Sequence, residues 1–172
     1  MTKTIVYLAM SLDGFIAGKR DDLSWLKKYE KVDYGYGKFL SGIGAIIEGR
    51  RTYDIEVKLG VRHLIPQFVL CHDIKGKRAN NKKILFVNRD ISNVLSEAKK
   101  ISGKKDVWIL GGANVIQQYI KKGLIDKMII TIVPVILGSG IRLFENIDRN
   151  INLKLEGIRK FDKGLVMFSY SL

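Results

Sequence analysis

The sequence is poor in residues that build cross-links or metal clusters, and it lacks a long apolar run. Its single cysteine, Cys71, excludes an intramolecular disulfide, and only two histidines are present. A lone thiol is typical of a reducing compartment, so we expect a cytoplasmic protein. No apolar run approaches the roughly 18 residues that span a bilayer, and no His, Cys and Asp residues have metal-ligand spacing. We therefore expect no membrane association and no metal.

Linker signals are also scarce. Only two prolines occur, and no repeat, low-complexity tract or Ser/Gly-rich stretch interrupts the chain. The length of 172 residues suits one domain, and a hydrophobic content of 47% supplies enough apolar side chains for a core. We expect a single domain over residues 1–172.

Acidic residues are outnumbered by basic ones, with 17 Asp and Glu against 30 Lys and Arg, which gives a formal net charge of +13. Such a surplus is compatible with nucleic-acid binding, but the lysines recur as scattered pairs, and no stripe interleaves them with aromatic residues. We interpret the charge as a solvated basic surface that also attracts phosphorylated ligands, and we expect no nucleic-acid partner.

Short apolar runs alternate with helical patterns along the chain. Runs rich in β-branched and aromatic residues predict strands at 4–10, 44–48, 67–71, 84–87, 107–110, 127–134, 153–161 and 165–171. Helical patterns lie between them at 21–29, 34–42, 51–59, 92–101 and 114–122, the fourth opening with a Ser cap. Several runs are apolar on both faces, as in interior strands covered by helices, and Asp-Lys-Gly before the last run predicts an antiparallel hairpin near an edge. The pattern predicts a three-layer α/β domain with a mixed sheet.

A glycine pair stands where a buried strand runs into a helix. Gly111 and Gly112 follow the strand predicted at 107–110, and glycine lets a ligand approach the backbone closely. The first N–H groups of a helix lack intrahelical partners and the helix dipole adds positive charge, so a pyrophosphate fits there. A tight turn that binds nothing would explain an isolated glycine pair equally well, and the G-x-G-x-x-G pattern is absent.

A second stretch, IIEGRRTYD, strengthens the ligand interpretation. It brings Arg50, Arg51 and Thr52 to a helix start directly after Gly49. Guanidinium, hydroxyl and free N–H groups together make a phosphate clamp, with solvated arginines as the alternative. Two glycine-led helix starts in one small domain could hold one ligand with several phosphates, and a dinucleotide is the economical candidate.

Several segments together resemble the dihydrofolate reductase-like superfamily, and most closely the C-terminal reductase domain of the bifunctional riboflavin biosynthesis enzyme and its stand-alone relatives. They are MSLDGFIAG, DDLSWL, GRRTY, and the late WILGGANVIQQYIKKGLID with PVILGSGIRLF. Their order and spacing match along essentially the whole chain. The resemblance implies a mixed sheet of about eight strands flanked by helices, with NADPH across the strand ends. Relatives commonly dimerise through the late strands, so a homodimer is expected.

The resemblance also implies site residues. Cofactor contacts map to Ala9, Ile16, Ala17, Gly49, Arg50, Arg51, Thr52, Gly111, Gly112, Ala113, Asn114 and Val115. The Ser-Leu-Asp-Gly motif implies that Ser11, Asp13 and Gly14 shape the substrate pocket, although Asp13 could instead fix the turn before Gly14.

One departure from the family leaves NADH as an alternative to NADPH. Relatives often carry Ser-Arg or Ser-Lys where this chain has Cys71, His72 and Asp73. An inward-pointing Asp73 would repel an adenosine 2′-phosphate, and His72 or Lys75 would have to compensate.

Asp22 is the candidate catalytic residue. Its segment, DDLSWL, resembles the dihydrofolate reductase helix whose carboxylate hydrogen-bonds the pterin. An apolar pocket near Trp25 and Leu26 would raise the pKa of Asp22, so that it could help to deliver a proton. A helix-capping acid on the surface is the alternative. His63 has no obvious carboxylate partner in the sequence and is expected to be structural.

The functional hypothesis is an NADPH-dependent reductase that transfers a hydride to a small heterocycle or a sugar-linked pyrimidine. The nearest reaction is reduction of 5-amino-6-(5-phosphoribosylamino)uracil in riboflavin biosynthesis, and a basic site that includes Arg142 would suit a phosphorylated substrate. Dihydrofolate reduction is one alternative. A non-catalytic nucleotide- or nucleic-acid-binding module, motivated by the basic charge, is the other.

Overall fold

The eight apolar runs predicted as strands all enter one mixed sheet. The computed structural model describes residues 1–73, 83–145 and 147–172, so Lys75 lies outside the described residues. The strands are β1 Thr4–Ser11, β2 Phe15–Ala17, β3 Ile43–Gly49, β4 Gln67–Leu70, β5 Ile84–Val87, β6 Asp106–Gly111, β7 Lys127–Val133, β8 Ile141–Arg142, β9 Lys154–Lys160 and β10 Val166–Ser171.

The strand order of the main sheet is β5-β4-β3-β6-β1-β7-β10-β9. The first six strands in this order pair in parallel, whereas β10 is antiparallel to both β7 and β9. The predicted C-terminal hairpin is confirmed, and β9 forms the exposed edge of the sheet. β2 and β8 form a separate two-stranded ribbon that the sequence did not predict, because strands of three and two residues carry no periodicity.

Helices cover both faces of the sheet, which confirms the three-layer α/β prediction. They are α1 Tyr36–Ser41, α2 Arg50–Lys58, α3 Ile91–Ser102 and α4 Ala113–Lys121. α3 and α4 bury Val94, Ile116 and Tyr119 in the larger apolar cluster on one face. On the other face, Phe39 of α1 packs against the rings of Tyr7 and Trp108.

Two local predictions were wrong. The pattern at 21–29 does not form an α-helix but two short 3-10 helices, Lys19–Asp21 and Ser24–Tyr29, because positive φ angles at Arg20 and Asp21 interrupt it. The cap of α3 is Asp90 rather than Ser92, because the Asp90 carboxylate accepts a hydrogen bond from the Ser92 N–H at 2.8 Å. Ser92 lies inside the first turn of α3 and is the residue being capped.

The packing of β3 against the end of α3 requires glycine at position 44. A Cβ atom added there would lie 2.7 Å from Ser102 Cα and 2.8 Å from the Ser102 carbonyl oxygen. We expect Gly44→Ala to lower the free energy of unfolding by about 1–3 kcal/mol, the usual cost of overpacking, as measured by urea denaturation. Gly157→Ala in β9 is the matched control, since no atom lies within 4 Å of its added Cβ. Equal losses in the two variants would contradict the prediction.

Candidate active site

Two helices begin side by side at the carboxyl end of the sheet. β3 and β6 are parallel neighbours, and Glu48 pairs with Gly111 at their ends. α2 follows β3 with Gly49 as its N-cap residue, and α4 follows β6 with Gly112 as its N-cap residue. Because neither glycine has a side chain to cap the helix, the first N–H groups of both helices are left open to a ligand.

The two glycine corners are in contact. A Cβ atom added to Gly49 would lie 3.1 Å from Val115 Cγ2, and one added to Gly112 would lie 3.2 Å from Thr52 Oγ1. Gly111 has a φ of +148°, which also favours glycine. Larger residues at these positions would fill the space between the starts of α2 and α4.

A cleft of about 980 Å³ opens over the corners. It is lined by every residue that the family resemblance implies for the cofactor, namely Ala9, Ile16, Ala17, Gly49, Arg50, Arg51, Thr52, Gly111, Gly112, Ala113, Asn114 and Val115. The structure thus gathers residues from β1, β2 and both helix starts around one space. That they hold a cofactor stays a prediction.

The two arginines at the start of α2 are held by carboxylates. Arg50 Nε donates to both carboxylate oxygens of Asp54 at 2.8 and 2.9 Å, and the Arg50 guanidinium lies 5.1 Å from the Phe86 ring centre. Arg51 Nε donates to Asp21 Oδ2 at 2.8 Å, and Asp21 also lines the cleft. Both side chains are therefore held near the start of α2, with their charge partly offset by acidic partners.

One end of the cleft lies beyond the strands β4 and β5. Cys71, His72 and Asp73 line it, as do Asn88 and Arg89, which follow β5. Asn88 Nδ2 donates to the His72 carbonyl at 2.6 Å and joins the two segments. Sequence motifs did not single out Arg89, although its position directly after a predicted parallel strand was a usable signal.

A second cavity, of about 350 Å³, adjoins the cleft. Both spaces are lined by Tyr7, Leu8, Ala9, Leu26 and Trp108. The remaining walls of the second cavity carry Tyr29, Tyr34 and Tyr36, with Glu30 and Thr131 as polar groups.

The Tyr7 hydroxyl at this junction is buried and has no hydrogen-bond partner among the described residues. Burial raises the pKa of Tyr7 well above its usual range, so the hydroxyl remains a donor.

The chain matches the family model of the RibD C-terminal domain over residues 2–167. The chain belongs to this family. Two Bacillus subtilis (strain 168) proteins, the uncharacterized YwjB and YyaP, are 33% identical over 166 residues and 34% identical over 179 residues. These matches cover 95% and 98% of this chain and 94% of each relative. The crystal structure of a candidate riboflavin biosynthesis protein from Shewanella sp. PV-4 gives a TM-score of 0.87 at 27% identity, covering 99% of this chain and 98% of that one. The predicted resemblance and fold are therefore confirmed.

The prediction that Asp22 lies in an apolar pocket with a raised pKa is wrong. Its side chain is exposed, with Oδ1 accepting from the Ser24 N–H at 2.9 Å and Oδ2 accepting from the Ser24 hydroxyl at 3.0 Å. These hydrogen bonds, the backbone one above all, hold the pKa of Asp22 below its ordinary value instead of raising it. Asp21 and Leu23 are among the described residues that line the cleft, but Asp22 is not. Asp22 fixes the turn before the second 3-10 helix.

The Ser-Leu-Asp-Gly motif holds a loop rather than lining either cavity. Asp13 accepts hydrogen bonds from the Ser11 hydroxyl at 2.6 Å, from Leu137 N at 3.1 Å and from Gly138 N at 2.7 Å. Gly14 has a φ of +89°. Ser11, Asp13 and Gly14 are absent from the described linings of both the cleft and the second cavity. Their expected direct role in the substrate pocket is therefore not supported by the geometry.

His63 does have a carboxylate partner. His63 Nε2 lies 2.9 Å from Glu56 Oε1, and the Glu56 side chain borders the cleft. Nearby, Glu48 is fully buried and its Oε1 accepts from Gln67 Nε2 at 2.8 Å. No sequence motif indicated this cluster, because Glu48 stands inside an apolar run.

Within the described part of the chain, the helices are all too short or too polar to cross a bilayer. The same residues contain no group of three or more His, Cys, Asp or Glu side chains placed to hold a metal ion.

The hydrogen bonds of Asp13 predict a pH-dependent stabilisation. The Ser11 hydrogen bond first, and then those from Gly138 and Leu137, lower the pKa of Asp13 from 3.8 to about 2. Because the folded-state pKa is depressed, the stabilisation is complete above about pH 4 and is lost as the pH falls through 2. We expect Asp13→Asn to lower the melting temperature at pH 7, with a deficit that shrinks below pH 4. Asp148→Asn, at an exposed site, is the control, and a deficit independent of pH would contradict the prediction.

Proposed function

We propose that this protein is an NADPH-dependent reductase that transfers a hydride to a small planar heterocycle or a sugar-linked pyrimidine. The observation that carries the proposal is the meeting of two glycine-led helix starts in one cleft, beside a tyrosine-lined cavity. Membership of the RibD C-terminal domain family supports a reductase. The nearest reaction is reduction of 5-amino-6-(5-phosphoribosylamino)uracil.

The residues of the cleft fit a dinucleotide cofactor. Gly49 and Gly112 leave the N–H groups of both helices open to a diphosphate, which a side chain at either position would obstruct. Arg50 and Arg51 add charged donors at the same place. When bound, the dihydronicotinamide supplies the hydride, and the protein supplies position and electrostatics.

The second cavity fits the substrate. Its tyrosine rings offer faces for a planar ring, and Thr131 and Glu30 offer polar contacts. The unpaired Tyr7 hydroxyl can donate to a ring carbonyl, which would remove the cost of leaving a buried donor unpaired. Arg142, expected to serve a phosphorylated substrate, instead donates to the Asp13 carbonyl and lies 4.4 Å over the Phe15 ring. The proposal therefore rests on recognition of the substrate's heterocyclic ring by the second cavity. It does not require the substrate to carry a phosphate.

The direct test is titration of the purified protein with NADPH and with NADH, followed by cofactor fluorescence. We expect binding of NADPH, and then cofactor oxidation when the ribosylaminopyrimidine phosphate is added. If the cofactor is oxidised with dihydrofolate but not with the ribosylaminopyrimidine phosphate, the protein is a dihydrofolate reductase instead. Failure to bind either cofactor, together with nucleic-acid binding that falls steeply with salt, would replace the proposal with a non-catalytic binding module.

The phosphate clamp predicts a defined loss of affinity. Arg50→Ala should weaken NADPH binding by about 1–3 kcal/mol, the scale of a charge-assisted hydrogen bond. Lys58→Ala is the matched control, because Lys58 is an exposed cation at the other end of the same helix. Fluorescence titrations of both variants decide the matter, and unchanged affinity in Arg50→Ala would remove Arg50 from the clamp.

Cofactor preference should depend on Arg89. It is a cation that lines the end of the cleft where Asp73 would oppose a 2′-phosphate. We expect Arg89→Gln to weaken NADPH binding by about tenfold, through loss of a charge-assisted contact, while NADH binding stays nearly the same. Arg149→Gln, whose side chain reaches the Lys121 carbonyl instead, is the control. Equal losses for both cofactors would assign Arg89 a structural role.

A homodimer is part of the proposal. Leu155 and Ile158 on the edge strand β9 are 48% and 52% exposed, and the unpaired backbone groups of an edge strand can pair with a second chain.

A further inference from the structure

One buried hydroxyl in the second cavity lacks a partner. Thr131 of β7 lines that cavity and is only 6% exposed. Its Oγ1 atom makes no hydrogen bond with the described residues, and, unlike the unpaired Thr4 hydroxyl, it is not cut off from solvent. The Thr131 hydroxyl is therefore both unpaired and open to the cavity. A ligand that occupies the cavity can contact it.

The register of the sheet fixes the position of this hydroxyl. Ile130 and Ile132 pack in the larger apolar cluster, so Thr131 points to the opposite face, because side chains alternate along a strand. Thr131 lies opposite Ala9 of β1 and Met167 of β10 in the two flanking strands. Ala9 lines both the cleft and the second cavity, and adjacent strands are about 4.8 Å apart. The hydroxyl therefore stands close to the place where the two spaces meet.

Packing alone gives no reason for a hydroxyl at this position. The wall of the same cavity carries the apolar side chains of Ala9, Val133 and Leu165. Valine has nearly the shape of threonine and the same preference for strands, and it would avoid the cost of burying an unpaired hydroxyl. A buried polar group without a partner that opens into a cavity is explained by a ligand that pairs with it.

Two other polar side chains of the cavity are less rigidly placed. Glu30 is exposed and follows the second 3-10 helix, and Tyr34 precedes α1 outside any helix or strand. Thr131 lies in the middle of a strand that is paired on both sides, and its β-branched side chain is stiff. Of these three groups, the Thr131 hydroxyl is the one whose position can fix the orientation of a ring.

We propose that Thr131 determines the substrate specificity of the second cavity by binding the lactam edge of the substrate's heterocycle. A hydroxyl can accept a hydrogen bond from the ring N–H or donate one to the ring C=O. Both groups are present in the pyrimidine ring of the ribosylaminopyrimidine phosphate and in the pterin ring of dihydrofolate. A ring held by this edge directs the group to be reduced towards the cleft. This inference rests on the proposed reductase function.

The first test needs neither cofactor nor substrate. Because the hydroxyl is unpaired in the free protein, Thr131→Val should melt within about 2 °C of the wild type or at a higher temperature. Thr4→Val should behave in the same way, and it is the matched control. Thr4 is fully buried on β1, its hydroxyl is also unpaired, and it is absent from the described linings of both cavities. A larger fall in the melting temperature of Thr131→Val would show that its hydroxyl stabilises the fold, and would overturn the proposal.

The second test measures turnover with whichever heterocycle the wild type reduces, the ribosylaminopyrimidine phosphate or dihydrofolate. Thr131→Val should lower kcat/KM by about tenfold, the scale of one hydrogen bond between uncharged groups. Thr131→Ser keeps the hydroxyl and should stay within about threefold of the wild type, and Thr4→Val should be unchanged. The NADPH dissociation constant should change by less than about twofold in each variant, because neither threonine is among the described residues that line the cleft.

The outcomes separate this proposal from the reductase assignment. Undiminished turnover in Thr131→Val, or a loss in Thr131→Ser as large as that in Thr131→Val, would overturn the role of the hydroxyl and leave the reductase assignment intact. A wild-type protein that binds NADPH but reduces neither heterocycle would overturn the lactam substrate class. Failure of the wild type to bind NADPH would overturn the reductase assignment, and with it the substrate role of Thr131, while the melting temperatures still reported on the hydroxyl.

Discussion

β3 and β6 pair as parallel neighbours, and this pairing fixes where two helices begin. Parallel strands end at the same edge of a sheet, so the chain segments that leave β3 and β6 start next to each other. Gly49 and Gly112 favour this close approach of α2 and α4, because a Cβ atom at either position would crowd Val115 or Thr52. That contact brings the open N–H groups of both helices together with Arg50 and Arg51. These groups line the cleft.

The same pairing accounts for the buried carboxyl of Glu48. Side chains alternate along a strand, so Ile47 enters the larger apolar cluster and Glu48 points to the opposite face, beneath α2. A carboxyl group there is costly unless it has partners. Gln67 on the adjacent strand β4 supplies one partner by donating from Nε2 to Glu48 Oε1 at 2.8 Å, which ties this buried carboxyl to the register of the sheet.

Much of the fold could be predicted because its strands are long apolar runs. The strand at 84–87 has the predicted bounds, and the glycine corners were recognisable from strand, glycine and helix in succession. Tertiary contacts were harder. Asp13 holds backbone groups 124 and 125 residues away, which no local pattern encodes. The tyrosine cavity is assembled from distant segments, and His63 looked unpartnered because Glu56 approaches it from the end of a helix.

The ion pair between Arg51 and Asp21 joins α2 to the segment that follows β2. A phosphate that bound Arg51 through Nε would compete with the Asp21 carboxylate, which already accepts from that atom at 2.8 Å. Displaced, Asp21 would no longer anchor its segment, where positive φ angles at Arg20 and Asp21 already disfavour regular structure. Ligand binding in the cleft and ordering of the segment around Asp21 would then be coupled. A ligand that broke the ion pair would change the free energy of ordering this segment, and the order of the segment would change the free energy of binding by the same amount.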